Sequence, residues 1–177
     1  NTYEEFEEAV KEQIRYELRG TVASSHVCDD IGFQRVVPAL SLSFYECVEN
    51  AKDYAWGGAK YNLGNGIDAI GVADLINSLI AVKKLVFDDK AITMEELLKA
   101  VTADFEGYED IRHMCINVPK YGNDIDEVDM LTSKALQDCA EYCATLKCGR
   151  AGNYSSAGVQ PTQTNVAMGE MCWALPS

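Results

Sequence analysis

The sequence has few basic residues and no long apolar run. Its 177 residues contain 15 Lys and Arg against 28 Asp and Glu, a formal net charge of -13. An acidic surface repels phosphate backbones and anionic lipids, so we expect neither nucleic acid nor membrane as a partner. No stretch approaches the roughly 18 apolar residues of a membrane helix, and no signal peptide opens the chain. These absences predict a soluble, cytoplasmic protein.

Several classes of catalytic and binding site are also missing from the sequence. The two histidines, His26 and His113, are too few and too far apart for a His-rich metal site. No G-x-S-x-G is present, so there is no nucleophile elbow for serine-based hydrolysis. Gly64-Asn-Gly66 and the later Gly71 lack the Lys and the spacing of a phosphate loop, and are better explained as turn residues.

The cysteines do not form a recognisable framework. They are seven in number and scattered: Cys28, Cys47, Cys115, Cys139, Cys143, Cys148 and Cys172. Without a secretory signal, we expect reduced thiols. The C-x3-C-x4-C spacing near residue 140 lacks a located fourth ligand for an iron–sulfur cluster, so core thiols at helical spacing are favoured and no metal is predicted. Core packing is likewise favoured for Cys47, which Glu46 and Glu49 flank.

Helical patterns dominate the chain. An apolar stripe predicts an amphipathic helix from Tyr3 to about Ser24, and an almost continuously apolar stretch predicts a buried helix over 72–87. Thr93 with Glu96 forms a capping box for the next helix. A further helix should open at Asp124 and run to about Leu146.

The remaining segments are expected to be shorter or irregular. After the break at Pro38, the residues Leu40, Phe44, Cys47 and Val48 indicate a short buried helix. Gly57–Gly66 is expected to be loop or strand edge and 149–158 to be loop. The alternation over Val159–Met168 indicates a strand.

The segment Pro119–Asp124, which reads P-K-Y-G-N-D, is the most specific motif. Pro ends a helix, Gly frees the backbone and the Asn-Asp pair can cap the following helix, so the segment predicts a sharply defined joint. With Val128 and Asp129 it resembles the P-K-Y/F-G-N-D/N-x-x-x-V-D pattern of the glycyl radical enzymes, the pyruvate formate lyase superfamily. Four further groups of motifs follow that family's order: G-G-A-K-Y-N at 57–62, V-A-D-L-I-N-S-L-I-A-V-K-K-L-V-F at 72–87, the pair T-M-E-E-L-L at 93–98 and F-E-G-Y at 105–108, and the pair P-T-Q-T-N-V-A-M-G at 161–169 and A-L-P-S at 174–177.

The resemblance covers nearly the whole chain, so it also implies a fold. We expect an α/β class: a mostly helical fragment of the glycyl radical enzyme barrel, from the C-terminal half shell, with few strands. Residues 1–177 would be part of one domain that is incomplete at both ends. The G-G-A-K-Y-N motif favours the decarboxylase, dehydratase and choline lyase branches over strict pyruvate formate lyases.

The resemblance implies radical cleavage of a C–C, C–N or C–O bond in a small molecule, by a lyase, decarboxylase or dehydratase. Such enzymes carry a glycyl radical in an R-V-x-G-Y/F context and a thiyl cysteine in G-C-x-E, and neither motif occurs in this sequence. We therefore expect no catalytic residue in the chain and no activity from it alone. The implied partners are an S-adenosylmethionine-dependent activating enzyme and further copies of the full-length enzyme.

Two segments are candidates for substrate contact, because they resemble parts of the family near the barrel interior. Tyr61, Asn62, Thr164 and Asn165 could supply hydrogen bonds, and Met168 or Trp56 an apolar wall. The alternative is that the glycines permit tight backbone passage and the polar residues satisfy strand ends. The alternative function is a non-catalytic acidic helical interaction module, or a truncated remnant that lost both radical carriers.

Overall fold

The computed structural model describes residues 2–62, 66–147 and 154–158, the last four of these by their backbone alone. The chain divides into two compact units. Among the described residues, the first unit comprises 2–9, 69–136 and 158, and the second comprises 10–62, 66–68, 137–147 and 154–157.

Helices account for most of the described residues. The elements in chain order are α1 (Tyr3–Gly32), α2 (Pro38–Ser41), a 3-10 helix (Tyr54–Trp56), β1 (Gly66–Ala69), α3 (Val72–Val82), a π-helix (Lys83–Asp88), α4 (Met94–Thr102), α5 (Glu109–Asn117), α6 (Asp126–Thr145) and β2 (Ser155–Gly158). The two strands pair with each other in a two-stranded sheet. Within the described ranges, no helix combines the length and apolar composition needed to cross a membrane.

The first unit is built around α3, which is apolar on most sides as its sequence predicts. Ile76 and Ile80 have no exposed surface, and Leu79 is 6% exposed. Burying an aliphatic side chain contributes about 1.5–3 kcal/mol, so these three positions supply a large share of the unit's stability. The predicted helix over 72–87 is confirmed, with its last turn widened into the π-helix.

Lys83 holds the π-helix in place. Its Nζ donates to Asp88 Oδ2 at 2.8 Å and to Glu127 Oε1 at 3.0 Å. Lys83 and Asp88 are five residues apart, the spacing at which a π turn brings two side chains to one side. Hydrogen bonds to the two carboxylates raise the pKa of Lys83, so its ammonium group remains charged. The ion pairs thereby join both ends of the π-helix to the first turn of α6.

The capping box predicted for α4 is confirmed. Thr93 Oγ1 accepts from the Glu96 N–H at 3.2 Å, and Glu96 Oε2 accepts from the Thr93 N–H at 2.8 Å. Each side chain thus satisfies a backbone donor that a helix start leaves without a partner inside the helix. The helix then buries Leu97 and Ala100.

The P-K-Y-G-N-D joint connects α5 to α6 through hydrogen bonds to the backbone. Lys120 Nζ donates to the carbonyl oxygen of Cys115 at 2.6 Å, which caps the end of α5. The Tyr121 N–H donates to Asn77 Oδ1 at 2.9 Å and so ties the joint to α3. Gly122 has φ of 89°, a left-handed conformation that favours glycine. Within the described structure, the motif therefore acts as scaffold.

The second unit buries one cluster of side chains between its parts of α1 and α6 and the two-stranded sheet. Leu18, Val22, Ile67, Cys143 and Tyr154 form this cluster, and Ile14, Cys139, Tyr142 and Leu146 pack against it. Cys143 has no exposed surface. The prediction that the cysteines of α6 are core thiols is confirmed for Cys139 and Cys143, whereas Cys148 lies outside the described residues.

Four element predictions need correction. No buried helix spans 40–48: α2 ends at Ser41, and Leu40, Phe44 and Val48 are all at least 42% exposed. Residues 155–158, expected to be loop, form β2, because they pair with β1 far away in sequence.

The third correction concerns the start of α6. The helix begins at Asp126, because Asp124 has φ of 56° and lies outside the helical region. The fourth correction concerns α1, which continues to Gly32 rather than ending near Ser24. The predicted strand over Val159–Met168 falls outside the described residues.

Candidate functional site

The G-G-A-K-Y-N segment follows a single turn of 3-10 helix. Asp53 begins this turn, since its Oδ1 accepts from the Ala55 N–H at 2.9 Å. Gly57 ends the turn with φ of 81°, the left-handed conformation common at helix ends. An Asp before the turn and a Gly after it therefore fix where the chain reverses.

Gly58 is required for a different reason, namely space. A Cβ at this position would lie 2.0 Å from the carbonyl oxygen of Lys52 and 2.6 Å from its carbon. Both are backbone atoms, so a rotamer change cannot relieve the clash. The two glycines of the motif thus serve tight backbone passage, as the alternative to substrate contact predicts.

Asp53 is a hydrogen-bonding centre that sequence reasoning missed. Its Oδ2 accepts from the Val37 N–H at 3.2 Å and from Ser41 Oγ at 2.8 Å. Ser41 Oγ in turn accepts from the Tyr54 N–H at 3.0 Å. An Asp directly before the 3-10 turn was the available signal, because Asp is a preferred N-cap residue. The network joins α2 to the glycine-rich turn.

The hydrogen bonds also control the charge of Asp53. Burial alone raises the pKa of the carboxyl group, but donation from Ala55, Ser41 and Val37 outweighs burial and lowers the pKa below its usual value. The carboxylate is therefore ionised at neutral pH, and its charge is stabilised by three donors.

The predicted substrate-contact residues are described only in part. Asn62 Nδ2 donates to the carbonyl oxygens of Gly57 at 3.1 Å and Ala59 at 2.7 Å, so its amide closes the turn. Tyr61 is 75% exposed. Trp56 is half-exposed and its Nε1 donates to the Phe33 carbonyl oxygen at 2.9 Å. Thr164, Asn165 and Met168 lie outside the described residues.

A pocket of about 360 Å³ opens beside this turn. Its walls include Val36, Pro38, Leu42, Val48 and Trp56, and the buried side chain of Cys47 lies against it. Burial, followed by the charges of Asp53 and Glu49, raises the pKa of the Cys47 thiol. A protonated buried thiol is a poor nucleophile, which agrees with the core role predicted for Cys47.

The described ranges contain no metal-binding cluster. There, no three His, Cys, Asp or Glu side chains are close enough together to hold a metal ion. Cys28, Cys47 and Cys115 are free thiols. His26 Nε2 lies 2.8 Å from the Lys147 carbonyl oxygen, and His113 is exposed.

We predict opposite effects for two Gly→Ala substitutions. Gly58→Ala forces the backbone near Lys52 to move and should lower the free energy of unfolding by about 1–3 kcal/mol, as overpacking does. Gly20→Ala is the control: nothing lies within 4 Å of its Cβ, and Ala in a helix interior should stabilise by about 0.5–1 kcal/mol. Urea denaturation measures both. Equal effects at the two positions would contradict the packing described for Gly58.

We predict that Asp53 makes folding sensitive to acid. A carboxyl whose pKa is lower in the folded than in the unfolded state stabilises the fold above its unfolded pKa, about 3.9, and this contribution is lost as pH falls through the folded pKa. Asp53→Asn should therefore flatten the dependence of stability on pH below about pH 4. Thermal melts across pH 2–7 measure this, with exposed Asp30→Asn as control; an unchanged profile would refute the role of Asp53.

Comparison with known proteins identifies the family. The family model described as pyruvate formate lyase-like matches residues 1–169. The chain is 38% identical to a probable dehydratase, YbiW, of Escherichia coli, and 34% identical to trans-4-hydroxy-L-proline dehydratase of Clostridioides difficile. Each alignment covers 99% of this chain but only 23% and 22% of the relative.

Solved structures agree with this assignment. The glycerol-bound B12-independent glycerol dehydratase of Clostridium butyricum superposes with a TM-score of 0.90 at 35% identity, over 96% of this chain and 22% of that one. Hydroxyproline dehydratase of Clostridioides difficile gives 0.91 at 34% identity, over 99% and 22%. The expected fold class, a mostly helical part of a glycyl radical enzyme barrel with few strands, is confirmed. The chain belongs to the pyruvate formate lyase-like family.

Proposed function

We propose that these 177 residues are part of a glycyl radical enzyme that cleaves a C–O bond of a small molecule, as a dehydratase does. The supporting observation is identity along the whole chain: the dehydratase relatives are 33–38% identical, whereas the 4-hydroxyphenylacetate decarboxylase subunit is 25% identical. A sulfite-lyase is the second candidate, because one isethionate sulfite-lyase is 37% identical over 61% of the chain.

The proposed role of this segment is to build part of one barrel domain, 1–177, that continues beyond both ends. The chain spans less than a quarter of the length of the relatives. The radical glycine and the thiyl cysteine would lie in the remaining polypeptide, as their missing motifs suggest. The other proposed components are a small-molecule substrate, an S-adenosylmethionine-dependent activating enzyme, a cytoplasmic location and assembly into a homo-oligomer.

Within the segment, we propose that Tyr61 faces the substrate and that Asn62 holds the turn that positions Tyr61. Tyr61 is exposed at the end of a turn whose path Gly58, Asp53 and the Asn62 amide fix. A rigid turn under an exposed hydroxyl group is the arrangement that orients a polar substrate. Thr164, Asn165 and Met168 complete the proposed contact set.

We predict that this chain alone forms no radical. Anaerobic incubation with a cognate activating enzyme and S-adenosylmethionine should give no glycyl doublet in electron paramagnetic resonance, because both carriers are outside the 177 residues. The full-length polypeptide should give the doublet under the same conditions. A doublet from the 177 residues alone, or none from the full-length polypeptide, would contradict the proposed function.

We predict that Tyr61→Phe separates substrate binding from radical formation. In the activated full-length enzyme, loss of one hydrogen bond should lower kcat/KM by about tenfold while the doublet intensity stays at the wild-type level. Glu49→Gln, an exposed residue that does not belong to the proposed contact set, is the control and should leave both unchanged. Unchanged kinetics for Tyr61→Phe would remove this residue from the contact set.

A further inference from the structure

The segment 36–48 exposes an unusual amount of apolar surface. Seven of its thirteen residues are large apolar side chains that are 42–81% exposed: Val36, Val37, Leu40, Leu42, Phe44, Tyr45 and Val48. Leu42 and Val48, at 73% and 61%, also line the 360 Å³ pocket. Contiguous exposed apolar surface of this kind marks an interaction site in a soluble protein.

The chemistry of the pocket favours an apolar occupant. Both carboxylate oxygens of Asp53 already accept hydrogen bonds from within the protein, and the Trp56 N–H donates to the Phe33 carbonyl oxygen. A polar small molecule would find these groups engaged and would lose hydrogen bonds to water on entry. An aliphatic or aromatic side chain loses no hydrogen bonds to water on entry, and it gains van der Waals contacts with the apolar wall of the pocket.

The length of the relatives indicates where such a side chain comes from. This chain aligns with 22–23% of the probable dehydratase and the hydroxyproline dehydratase, so more than three quarters of each relative lies outside the aligned region. So much additional polypeptide must pack against part of the aligned region. An uncovered apolar face in the aligned region is a natural place for it.

We propose that segment 36–48 and its pocket form an interface with polypeptide of the same enzyme outside residues 1–177, which inserts an apolar side chain between Leu42 and Val48. The inference rests on the proposed function for the existence of that polypeptide. It adds the surface that is covered and the chemistry of the contact. A second copy of the chain and a free small molecule are the competing occupants.

Photo-crosslinking in the full-length enzyme tests the interface without requiring activity. p-Benzoyl-L-phenylalanine replaces Leu42, the protein is irradiated, and the cross-linked peptides are identified by mass spectrometry. We expect the label to join position 42 to a peptide outside residues 1–177 of the same polypeptide. When enzyme labelled with heavy isotopes is mixed with unlabelled enzyme, a cross-link between two copies is identified by its heavy-light peptide pair. The same replacement at Leu98, which is 64% exposed on α4, is the control and must not select that peptide.

Three results would overturn the proposal: cross-links confined to residues 1–177, heavy-light pairs only, or no cross-link at position 42. A pair of variants covers the case in which the bulky label prevents folding. Leu42→Asp should lower the melting temperature of the full-length enzyme while Leu42→Met preserves it, and equal temperatures would refute burial of this side chain. Radical formation is measured separately, so loss of the glycyl doublet with intact cross-links would reject the proposed function and keep the interface.

Discussion

Burial of α3 is the constraint on which the first unit depends. Ile76 and Ile80 are fully buried, so this helix must be covered by neighbouring elements before the unit is stable. Polar side chains at its border then fix those neighbours: Asn77 accepts from the backbone of the P-K-Y-G-N-D joint, and Lys83 binds Glu127 at the start of α6. The most recognisable motif of the sequence is thus conformational, since it joins α5 to α6 and is tied to α3 through Asn77.

The second unit depends on a hydrogen-bonded carboxylate, whereas the first depends on a buried helix. Asp53 receives hydrogen bonds from Val37, Ser41 and Ala55, which fixes the turn before Gly57. An ionised group with three donors resists displacement, because breaking any one bond leaves charge partly unsatisfied. The precision of the proposed substrate-facing turn comes from this network. Tyr61 supplies the exposed side chain, and the residues behind it fix the position of that side chain.

Local signals explain which features the sequence could predict. The capping box of Thr93 and Glu96 lies within four residues, and the apolar pattern of α3 lies within one helix. The pairing of β1 with β2 joins residues almost ninety positions apart, and no local pattern specifies it. The ion pair between Lys83 of the π-helix and Glu127 is likewise a tertiary contact that no local pattern specifies. The sequence predicts tight backbone passage for the glycines of 57–62, but the proximity of Gly58 to the Lys52 backbone is a contact that only the structure shows.

The failed prediction over residues 40–48 is itself informative. Leu40, Phe44, Cys47 and Val48 have the spacing of a buried helix face, yet only Cys47 is buried. Apolar residues with a burial pattern cost free energy when they face water, at about 25 cal/mol per Å² of apolar surface. An interface explains why residues with a burial pattern are exposed in the described part of the chain. The mismatch between sequence and structure therefore supports the proposed interface at segment 36–48.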